Sequence, residues 1–323
     1  MNVIGIDIGG TKCAVTYGRA NNDGSIEIVD KAKFDTAKVN ETIDNLLKTT
    51  SAIMQKYSLD SGNTSAIGVS CGGPLDSKKG LIMSPPNLPG WDNIPIVEYF
   101  EKRFGIKTAV QNDANACALA EWKFGAAQGY DNVIFMTFGT GMGAGLILEG
   151  RLYVGTNDNA GEVGHIRLEK TGPVGYGKAG SFEGFCSGGG IAQLARVKVM
   201  EKLQMGESVS FCNNMGELDR LTAKTVAEAA ETGDHLAIEI YRESASYLGK
   251  ALSIIIDVLN PEIIVLGSIY CRAQCLIEPA MQAVIDRETI FHTRKVCKIV
   301  PAGLGESIGD YAALSVAINA LLQ

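Results

Sequence analysis

The sequence lacks a hydrophobic run long enough to cross a membrane. Its longest apolar stretch, from Ala251 to Tyr270, contains Asp257, Asn260, Pro261 and Glu262. A membrane-spanning helix needs about 20 predominantly apolar residues, and carboxylates near the centre of such a helix are costly. We therefore expect no membrane partner for this chain.

Basic residues are scarce relative to acidic ones. The chain has 29 Lys and Arg against 36 Asp and Glu, which gives a formal net charge of −7. Nucleic acids and anionic membranes that are held by bulk electrostatics favour a basic protein face. The charge balance therefore predicts a protein without a nucleic-acid partner. Hydrophobic residues make up 46% of the chain, a normal globular share that excludes wholesale disorder.

A secretory signal peptide is also absent from the start of the chain, which reads Met1-Asn2-Val3-Ile4. The eight cysteines are scattered, and only Cys271 and Cys275 are near neighbours. Disulfides persist in oxidising compartments, whereas cytosolic thiols stay reduced and pack as small hydrophobes. We therefore predict a cytoplasmic protein with free cysteines.

Glycine, in contrast, is abundant. An average usage of about 7% would give roughly 23 glycines in a chain of this length. The sequence has 38, and 16 of them lie between Thr137 and Gly190. A surplus that is concentrated in one segment indicates tight turns or a close approach of backbone to a ligand.

The order of the elements predicts an α/β fold with two domains. The length of 323 residues is about twice the ~150 residues of a typical domain. Strand and helix patterns alternate, so ligands are expected at the C-terminal ends of strands. A strand, a glycine turn and a returning strand occur at residues 3–17 and again at 132–148, which indicates two domains of related design. We place these domains at residues 1–115 and 116–304, and a C-terminal helix, about residues 305–323, packs back on the first.

The first glycine turn follows the first predicted strand and reads Asp7-Ile8-Gly9-Gly10-Thr11-Lys12. Adjacent glycines let backbone N–H groups of Gly9 and Gly10 point at phosphate oxygens, and Thr11 adds a hydroxyl. The Asp7 carboxylate can hold water around a magnesium ion. A tight hairpin turn without a ligand is the alternative interpretation of the same residues.

The second glycine turn runs from Gly139 to Gly145 and includes Thr140, Gly141 and Gly143. It occupies the equivalent place in the second half of the chain. A phosphoryl-transfer site needs hydrogen-bond donors that converge from several directions. Two such turns in a duplicated fold therefore favour a polyphosphate ligand over two unrelated hairpins.

Asn112 and Asp113 lie where a predicted strand ends and a helix begins. A carboxylate at this place can accept the proton of a substrate hydroxyl, and the neighbouring amide can orient that hydroxyl. The alternative is an ordinary helix cap, for which Asp and Asn are preferred residues.

A candidate polyol pocket is formed by Glu162, His165 and Glu183, which stand among glycines. Carboxylates and an imidazole can bridge adjacent sugar hydroxyls. The other two histidines, His235 and His292, are interpreted as surface residues in helical or connecting segments. No group of His and Cys residues has convincing metal spacing.

Together these segments resemble the ROK family of sugar kinases and related repressors, and the resemblance covers nearly the whole chain. The matching segments are Asp7–Lys12, Gly68–Asp76 around Gly73, Pro86–Trp91 with Asn87, Asn112–Ala116, Gly139–Gly145, Gly161–His165 and Gly267–Ser268. The first six of these motifs, in the same order, are specific, where any one of them would not be.

The resemblance implies two ribonuclease-H-like domains of the actin and hexokinase type, with an active-site cleft between them. It implies a kinase that transfers the γ-phosphate of ATP, with Mg²⁺ held by Asp7 through water, to the 6-hydroxyl of a hexose such as glucose. Asp113 is then the general base, and a homodimer is expected by analogy. The residues expected to hold the sugar are Gly73, Asn87, Asn112, Asp113, Glu162, His165 and Glu183. Those expected to bind ATP are Asp7, Gly9, Gly10, Thr11, Lys12, Gly139, Thr140, Gly141, Gly143, Gly267 and Ser268.

One departure from the family concerns zinc. Members usually carry three cysteines in a glycine-rich loop before the residue that matches Glu183, and this chain has Val174, Tyr176 and Ser181 there instead. One imidazole cannot hold a structural zinc ion that needs four ligands, and Cys186 does not restore the set. We predict no structural zinc, and a loop held by packing of Val174, Tyr176 and Phe182.

Several alternatives stay open. Kinases for N-acetylmannosamine, N-acetylglucosamine, fructose or allose share these motifs, and the phosphate donor need not be ATP alone. A sugar-sensing transcriptional regulator of the same family would carry an N-terminal DNA-binding helix-turn-helix. The first strand begins at Met1 and the chain is acidic, which disfavours that reading. A sugar-binding protein without catalysis is disfavoured by Asp113 and the two glycine turns.

Overall fold

The computed structural model describes residues 1–21 and 23–322, and strands and helices alternate along it. The strands are β1 (Asn2–Ile8), β2 (Lys12–Ala20), β3 (Ile26–Asp35), β4 (Thr64–Cys71), β5 (Leu75–Asp76), β6 (Leu81–Ile82), β7 (Thr108–Asn112), β8 (Val133–Phe138), β9 (Met142–Leu148), β10 (Arg151–Tyr153), β11 (Val174–Gly175), β12 (Lys178–Ala179), β13 (Ile263–Leu266) and β14 (Lys298–Pro301). The helices are α1 (Val39–Lys56), α2 (Ile96–Phe104), α3 (Asp113–Phe124), α4 (Phe182–Cys186), α5 (Gly188–Gln204), α6 (Ala223–Glu231), α7 (His235–Leu259), α8 (Ile269–Glu288), α9 (Phe291–Val296) and α10 (Ile308–Ala320). Short 3₁₀ helices lie at Val163–His165, Met215–Arg220 and Gly305–Ser307.

The residues divide into two compact units. Unit 1 comprises Met1–Phe135, Gly145–Ala160 and Gly303–Gln323, and unit 2 comprises Met136–Ala144 and Gly161–Ala302. The domain boundary near residue 115 stays a prediction, as does a cleft between the two domains.

The main sheet of unit 1 has five strands in the order β3-β2-β1-β4-β7. Strand β1 pairs antiparallel with β2 and parallel with β4, and β4 pairs parallel with β7. Alternate residues of β1, namely Ile4, Ile6 and Ile8, point into a core shared with Leu46 of α1 and Phe100 of α2. The C-terminal ends of the parallel strands β1, β4 and β7 therefore meet at one edge, next to α3.

The opposite face of this sheet carries α10. A Cβ atom on Gly5 would lie 2.9 Å from the Leu314 nitrogen, and one on Gly68 would lie 2.2 Å from the Ala313 oxygen. Only glycine lets the helix backbone approach β1 and β4 this closely. Helix α10 thus packs directly on the middle strands of the unit 1 sheet.

A fully buried carboxylate lies near the C-terminal end of α3. Glu121 accepts hydrogen bonds from the N–H groups of Ala126 (2.8 Å), Gly303 (3.0 Å) and Leu304 (3.0 Å). The side chain thereby fixes α3 to the segment where the chain returns to unit 1 before α10. Since α3 begins at Asp113, this carboxylate supports the helix that presents that residue.

A second five-stranded sheet has the order β10-β9-β8-β13-β14, and its last pair is parallel. In unit 2, α7 packs along α8 and also contacts α4, α5 and α6. The apolar run near residue 251 belongs to α7 and β13, and much of it is buried. Among the described residues, every helix is too short or too polar to span a lipid bilayer.

Three helices have distinctive local features. Helix α1 begins at Val39, so Asn40 lies inside it. A capping box that joins Thr222 to Thr225 begins α6. Helix α8 contains Pro279 and is kinked at Ala273.

Candidate active site

The first glycine turn joins β1 to β2 in unit 1. Pairing ends at Ile8 with Cys13, and the Gly9 N–H donates to the Lys12 oxygen at 3.1 Å. A Cβ on Gly9 would lie 2.8 Å from the same oxygen, so the turn needs glycine there. The Thr36 hydroxyl donates to the Gly9 oxygen at 2.6 Å and fixes the turn from the β3 side.

The segment with Asn87 lies directly over this turn. A Cβ on Gly10 would lie 2.6 Å from the Asn87 oxygen, and one on Gly72 would lie 3.1 Å from Asn87 Oδ1. Gly73 in turn faces Asn112, at 4.0 Å from the Asn112 Cβ. The structure therefore brings together residues of unit 1 that are far apart in the sequence, from Gly10 to Asn112.

Asn112 and Asp113 have different local roles. Asn112 is the N-cap of α3, since its Oδ1 accepts from the Asn115 N–H at 2.7 Å. The helix-cap interpretation is therefore correct for Asn112. Asp113 occupies the first helical position, and its Oδ1 accepts from the Ala114 N–H at 2.8 Å. Solvent reaches Asp113, so its carboxylate is available to a ligand.

Asp7 and Asp113 have perturbed acidities. Burial and the negative charge of Asp113 together raise the pKa of Asp7 to about 6, against the opposing positive charges of Lys31 and Lys33. The protein atoms around the Asp113 carboxyl group displace water from it, and this desolvation raises its pKa. The protein thus holds two carboxylates with weakened acidity next to the first glycine turn, which is typical of a functional site.

Sequence reasoning missed the two lysines beside Asp7. Asp7 pairs with Ala14, and Ala14 pairs with Lys33, so the three side chains share one face of the sheet. Lys31, two residues earlier on β3, lies on the same face and donates through Nζ to Asp310 in the first turn of α10. The spacing of Lys31 and Lys33, two residues apart in a predicted strand, was the sequence signal that both side chains lie on one face of the sheet.

We expect the metal-free Asp7→Asn protein to be more stable than the parent at pH 8 by about 1–3 kcal/mol. Since the pKa of Asp7 is raised from 3.8 to about 6, the neutral carboxyl group stabilises the fold below pH 4. That contribution is lost as the pH rises through 6, because a buried charge replaces it.

Urea unfolding at pH 4 and pH 8 measures this difference, which should disappear at pH 4. Asp44→Asn on the exposed face of α1 is the matched control and should leave stability unchanged at both pH values. A gain of equal size in the two variants would contradict the role of burial at Asp7.

The second glycine turn lies in unit 2, where the Gly139 N–H donates to the Gly141 oxygen at 2.9 Å. Glu183 of α4 contacts this turn, since its Oε2 accepts from the Met142 N–H at 2.9 Å. A Cβ on Gly141 would lie 3.0 Å from the same Oε2. Gly143 lies in β9, which returns from the turn.

Glu183 also contacts the segment that carries Glu162 and His165. A Cβ on Gly164 would lie 3.3 Å from the Glu183 Cβ. Gly161 has φ +90° and a Cβ there would lie 2.3 Å from the Ala144 oxygen, so this position requires glycine. Glu162 is exposed and His165 is half-buried at the end of a 3₁₀ turn. The structure thus brings Glu183 next to the second glycine turn and to the His165 segment.

Unit 2 also contains a cavity of about 900 Å³, which is within the usual range for a small-molecule site. Its lining includes residues of both expected nucleotide-binding segments, the start of α5, three cationic side chains and two carboxylates. These residues are Gly139, Thr140, Gly188, Gly189, Arg196, Lys224, Glu228, Glu231, Ser268 and Arg272.

The N-terminus of α5 at this cavity was not predicted as part of the site. The Gly188 N–H donates to the Gly139 oxygen at 2.9 Å, and the Ser187 hydroxyl caps the helix by accepting from the Gly190 N–H. The N-terminal turn of a helix carries the positive end of the helix dipole, which suits an anion. The sequence signal for this helix start was the run Ser187-Gly188-Gly189-Gly190, in which a serine cap precedes three glycines.

Gly267 and Ser268 follow β13 at the same cavity. The Gly267 N–H donates to the Met136 oxygen at 2.8 Å, and Ser268 Oγ lies 3.0 Å from Thr137 Oγ1. Ser268 has φ +52°, which is uncommon for a residue other than glycine. These bonds fix the end of β13 beside β8, and Ser268 lines the cavity.

The residues at the family's zinc positions do not fit a zinc ion. Ser181 is buried and caps α4 by accepting from the Gly184 N–H at 3.1 Å, while Val174 is 47% exposed. Cys186 is buried and its thiol donates to the Ser244 oxygen, and burial raises its pKa. In the part of the chain that is described, no three His, Cys, Asp or Glu side chains form a metal-binding group. Phe182 is buried as predicted, but Tyr176 is 72% exposed.

The sequence profile of the ROK family matches residues 3–319. The chain belongs to the ROK family. Glucokinase of Thermotoga maritima is 31% identical over 288 residues, which cover 88% of this chain and 88% of that protein. The DNA-binding transcriptional dual regulator NagC of Escherichia coli is 30% identical over 290 residues, which cover 88% of this chain and 69% of the regulator.

Among solved structures, a ROK family glucokinase from Streptomyces griseus in complex with glucose and AMPPNP is 28% identical, with a TM-score of 0.74. The match covers 98% of this chain and 99% of that chain. The predicted family and the α/β fold class are therefore confirmed. Both kinases and a regulator of this family are similar to the chain, so membership alone does not assign an activity.

Proposed function

We propose that this ROK protein is an ATP- and Mg²⁺-dependent sugar kinase that phosphorylates the 6-hydroxyl of a hexose, with glucose as the first candidate. The observation that carries the proposal is Asp113, a solvent-accessible carboxylate of raised pKa beside the first glycine turn. The similarity to glucokinases from Thermotoga maritima and Streptomyces griseus supports a sugar substrate and a nucleotide donor.

Asp113 acts as the general base in this proposal. Its carboxylate accepts the proton of the sugar 6-hydroxyl as the oxygen attacks the γ-phosphate. A raised pKa favours this transfer, since a base is most effective when its pKa lies nearer the working pH. Asn112, Asn87 and the backbone at Gly73 orient the sugar in unit 1. The closeness of Asn87 to Gly10 and Gly72, and of Gly73 to Asn112, supports that role.

The unit 2 cavity binds the nucleotide. The phosphates of the nucleotide contact the glycine turn at Gly139, Thr140, Gly141 and Gly143 and the N-terminus of α5, where the positive end of the helix dipole favours negative charge. The cavity lining carries three cations, Arg196, Lys224 and Arg272, against the two carboxylates of Glu228 and Glu231. Gly267 and Ser268 contact the nucleoside. Gly9, Gly10, Thr11 and Lys12 bind phosphate oxygens in unit 1.

Asp7 fits a magnesium ion that keeps several waters, because its half-buried carboxylate supplies the oxygen ligand that this hard cation prefers. When bound, Mg²⁺ neutralises charge on the phosphates of ATP. Lys31 and Lys33 act on Asp7 itself, since their positive charges favour its ionised form.

Glu162, His165 and Glu183 recognise the remaining sugar hydroxyls in unit 2. Glu183 Oε2 accepts from the Met142 N–H, so this carboxylate also couples sugar recognition to the phosphate turn. An N-acetylhexosamine, fructose or allose substrate would use the same residues. The homodimer and the cytoplasmic location stay predictions, and a phosphate donor other than ATP stays an alternative.

A coupled assay of ADP release across a hexose panel tests the kinase proposal. Glucose should stimulate ADP release well above the level of the Asp113→Asn variant. If no sugar in the panel does so, while sugars still bind by calorimetry, the chain is a sugar sensor like the regulators of the family and the kinase proposal is wrong.

Gly189→Glu should raise the KM for ATP by about 10- to 100-fold and leave the sugar Kd unchanged. A Cβ at Gly189 lies 3.2 Å from the Thr140 oxygen, so the new carboxylate occupies the anion site at the start of α5. Gln204→Glu adds the same charge at the other end of α5 and should leave the KM unchanged. Steady-state kinetics with varied ATP measures both, and equal KM values for the two variants would place the phosphates elsewhere.

A further inference from the structure

The β11–β12 hairpin presents an aromatic side chain to His165. Its turn residues are Tyr176 and Gly177, and the ring centroids of Tyr176 and His165 lie 5.2 Å apart with an interplanar angle of 88°. Edge-to-face packing at this separation is a favourable geometry for aromatic rings. Tyr176 has φ +44°, a backbone conformation that is rare for a bulky residue and that persists only where surrounding contacts enforce it.

Hydrogen bonds fix the hairpin at its base. The Val174 N–H donates to Gln193 Oε1 at 2.9 Å, and Gln193 Nε2 donates to the Val174 oxygen at 2.9 Å. Gln193 belongs to α5, so the hairpin is tied to the helix whose N-terminus lines the cavity. A Cβ on Gly175 would lie 2.6 Å from the Gly184 nitrogen, so the hairpin also lies directly against α4.

The same hairpin holds the backbone of His165. Lys178 Nζ donates to the His165 oxygen at 2.6 Å. The imidazole is therefore contacted by Tyr176 while its main chain is bonded by Lys178, two residues further along the hairpin. Both contacts come from the loop in which the family carries its zinc cysteines, and the residues present here do not fit that ion.

We propose that Tyr176 is a positioning residue that orients the His165 imidazole for sugar recognition, through a ring contact in place of a metal bond. Sugar binding by this chain is then independent of zinc. The inference rests on the proposed function for its sugar readout, but the ring contact is measurable without any activity.

Nuclear magnetic resonance of the histidine ring protons tests the contact directly. The chain has three histidines, so the His165 signal can be assigned by its loss in His165→Gln. Tyr176→Ala should shift that signal, because the ring current of the tyrosine is removed, and Tyr176→Phe should retain it. Tyr153→Ala removes an exposed tyrosine of β10 and should leave the His165 signal in place. An unchanged signal in Tyr176→Ala would overturn the proposal.

Sugar affinity provides the second readout. Tyr176→Ala should raise the sugar KM and Kd by about 3- to 10-fold, as expected for the loss of one aromatic pair, with kcat and the KM for ATP unchanged. Tyr176→Phe should restore the parent values. A loss of kcat in Tyr176→Ala, or an equal effect in Tyr153→Ala, would show a general structural role and overturn the proposal. If no sugar binds although the ring shift is observed, the proposed function fails and the ring contact stands.

Zinc is measured on the same protein. Elemental analysis of purified, untagged chain should give zinc well below one ion per chain, and a zinc chelator should leave sugar Kd and the His165 signal unchanged. Stoichiometric zinc, or a chelator effect that matches Tyr176→Ala, would overturn the replacement of the metal by Tyr176.

Discussion

Asp113→Asn should lower kcat by about 10²- to 10⁴-fold, which is the usual contribution of a general base. Asparagine is nearly isosteric and can still accept the Ala114 N–H, so α3 should begin as before. Because the protein raises the pKa of Asp113, the charged side chain is unfavourable in the fold, and the variant should unfold at the same or a higher temperature.

Three measurements separate catalysis from folding in this variant. Steady-state kinetics gives kcat, calorimetry gives the sugar and nucleotide affinities, and thermal unfolding gives Tm. Unchanged affinities together with lost turnover are the expected pattern for a base. Retention of more than a tenth of the parent kcat would show that the proton leaves by another route.

Glu121→Gln should destabilise the fold by about 2–4 kcal/mol, although the change is isosteric. The parent carboxylate accepts three buried N–H groups, from Ala126, Gly303 and Leu304. A glutamine side chain has one oxygen and one NH₂ group, and the latter faces an N–H donor. A buried donor left without an acceptor costs about 1–3 kcal/mol, and bonds to a charged acceptor are stronger than those to a neutral one.

Urea unfolding measures this loss, and Glu201→Gln on the exposed face of α5 is its control. The control should stay within about 0.5 kcal/mol of the parent, as surface substitutions usually do. Comparable stability of the two variants would mean that α3 is fixed by its apolar contacts, and that Glu121 contributes little.

The parts of the site that could be predicted are those with a local signal. Both glycine turns follow apolar strands, so their place at strand ends could be read from a few residues. Asn112 and Asp113 were recognisable for the same reason, and the structure shows that one caps α3 while the other stands first in the helix.

The rest of the site and its supports depend on contacts between residues that are distant in the sequence. Lys31 forms an ion pair with Asp310 only because α10 packs on the sheet that contains β3, and no local sequence pattern predicts that pair. Glu121 looks like an ordinary polar residue of α3, and its burial follows from a segment that returns at Gly303. Burial and long-range pairing are tertiary properties, which helix and strand periodicity do not encode.

The zinc loop illustrates a different limit. The sequence shows that three cysteines of the family are missing, but it does not show which contacts hold the loop without zinc. Packing of Val174 and Tyr176 was expected, whereas Val174 is 47% exposed and Tyr176 is 72% exposed. The loop is instead fixed by the bidentate contact of Gln193 with Val174 and by Lys178, and these bonds depend on hairpin geometry that Tyr176 and Gly177 set with positive φ angles.

The place of α10 has a consequence for synthesis of the protein. Residues 1–135 leave the ribosome well before residues 303–323, yet the sheet face at Gly5 and Gly68 is covered by Ala313 and Ala317. Until then, the nascent chain carries an apolar sheet face exposed to water, a surface that chaperones recognise. Deletion of α10 would therefore expose the face of the unit 1 sheet at β1 and β4, and it would not be equivalent to removal of an unpacked terminal segment.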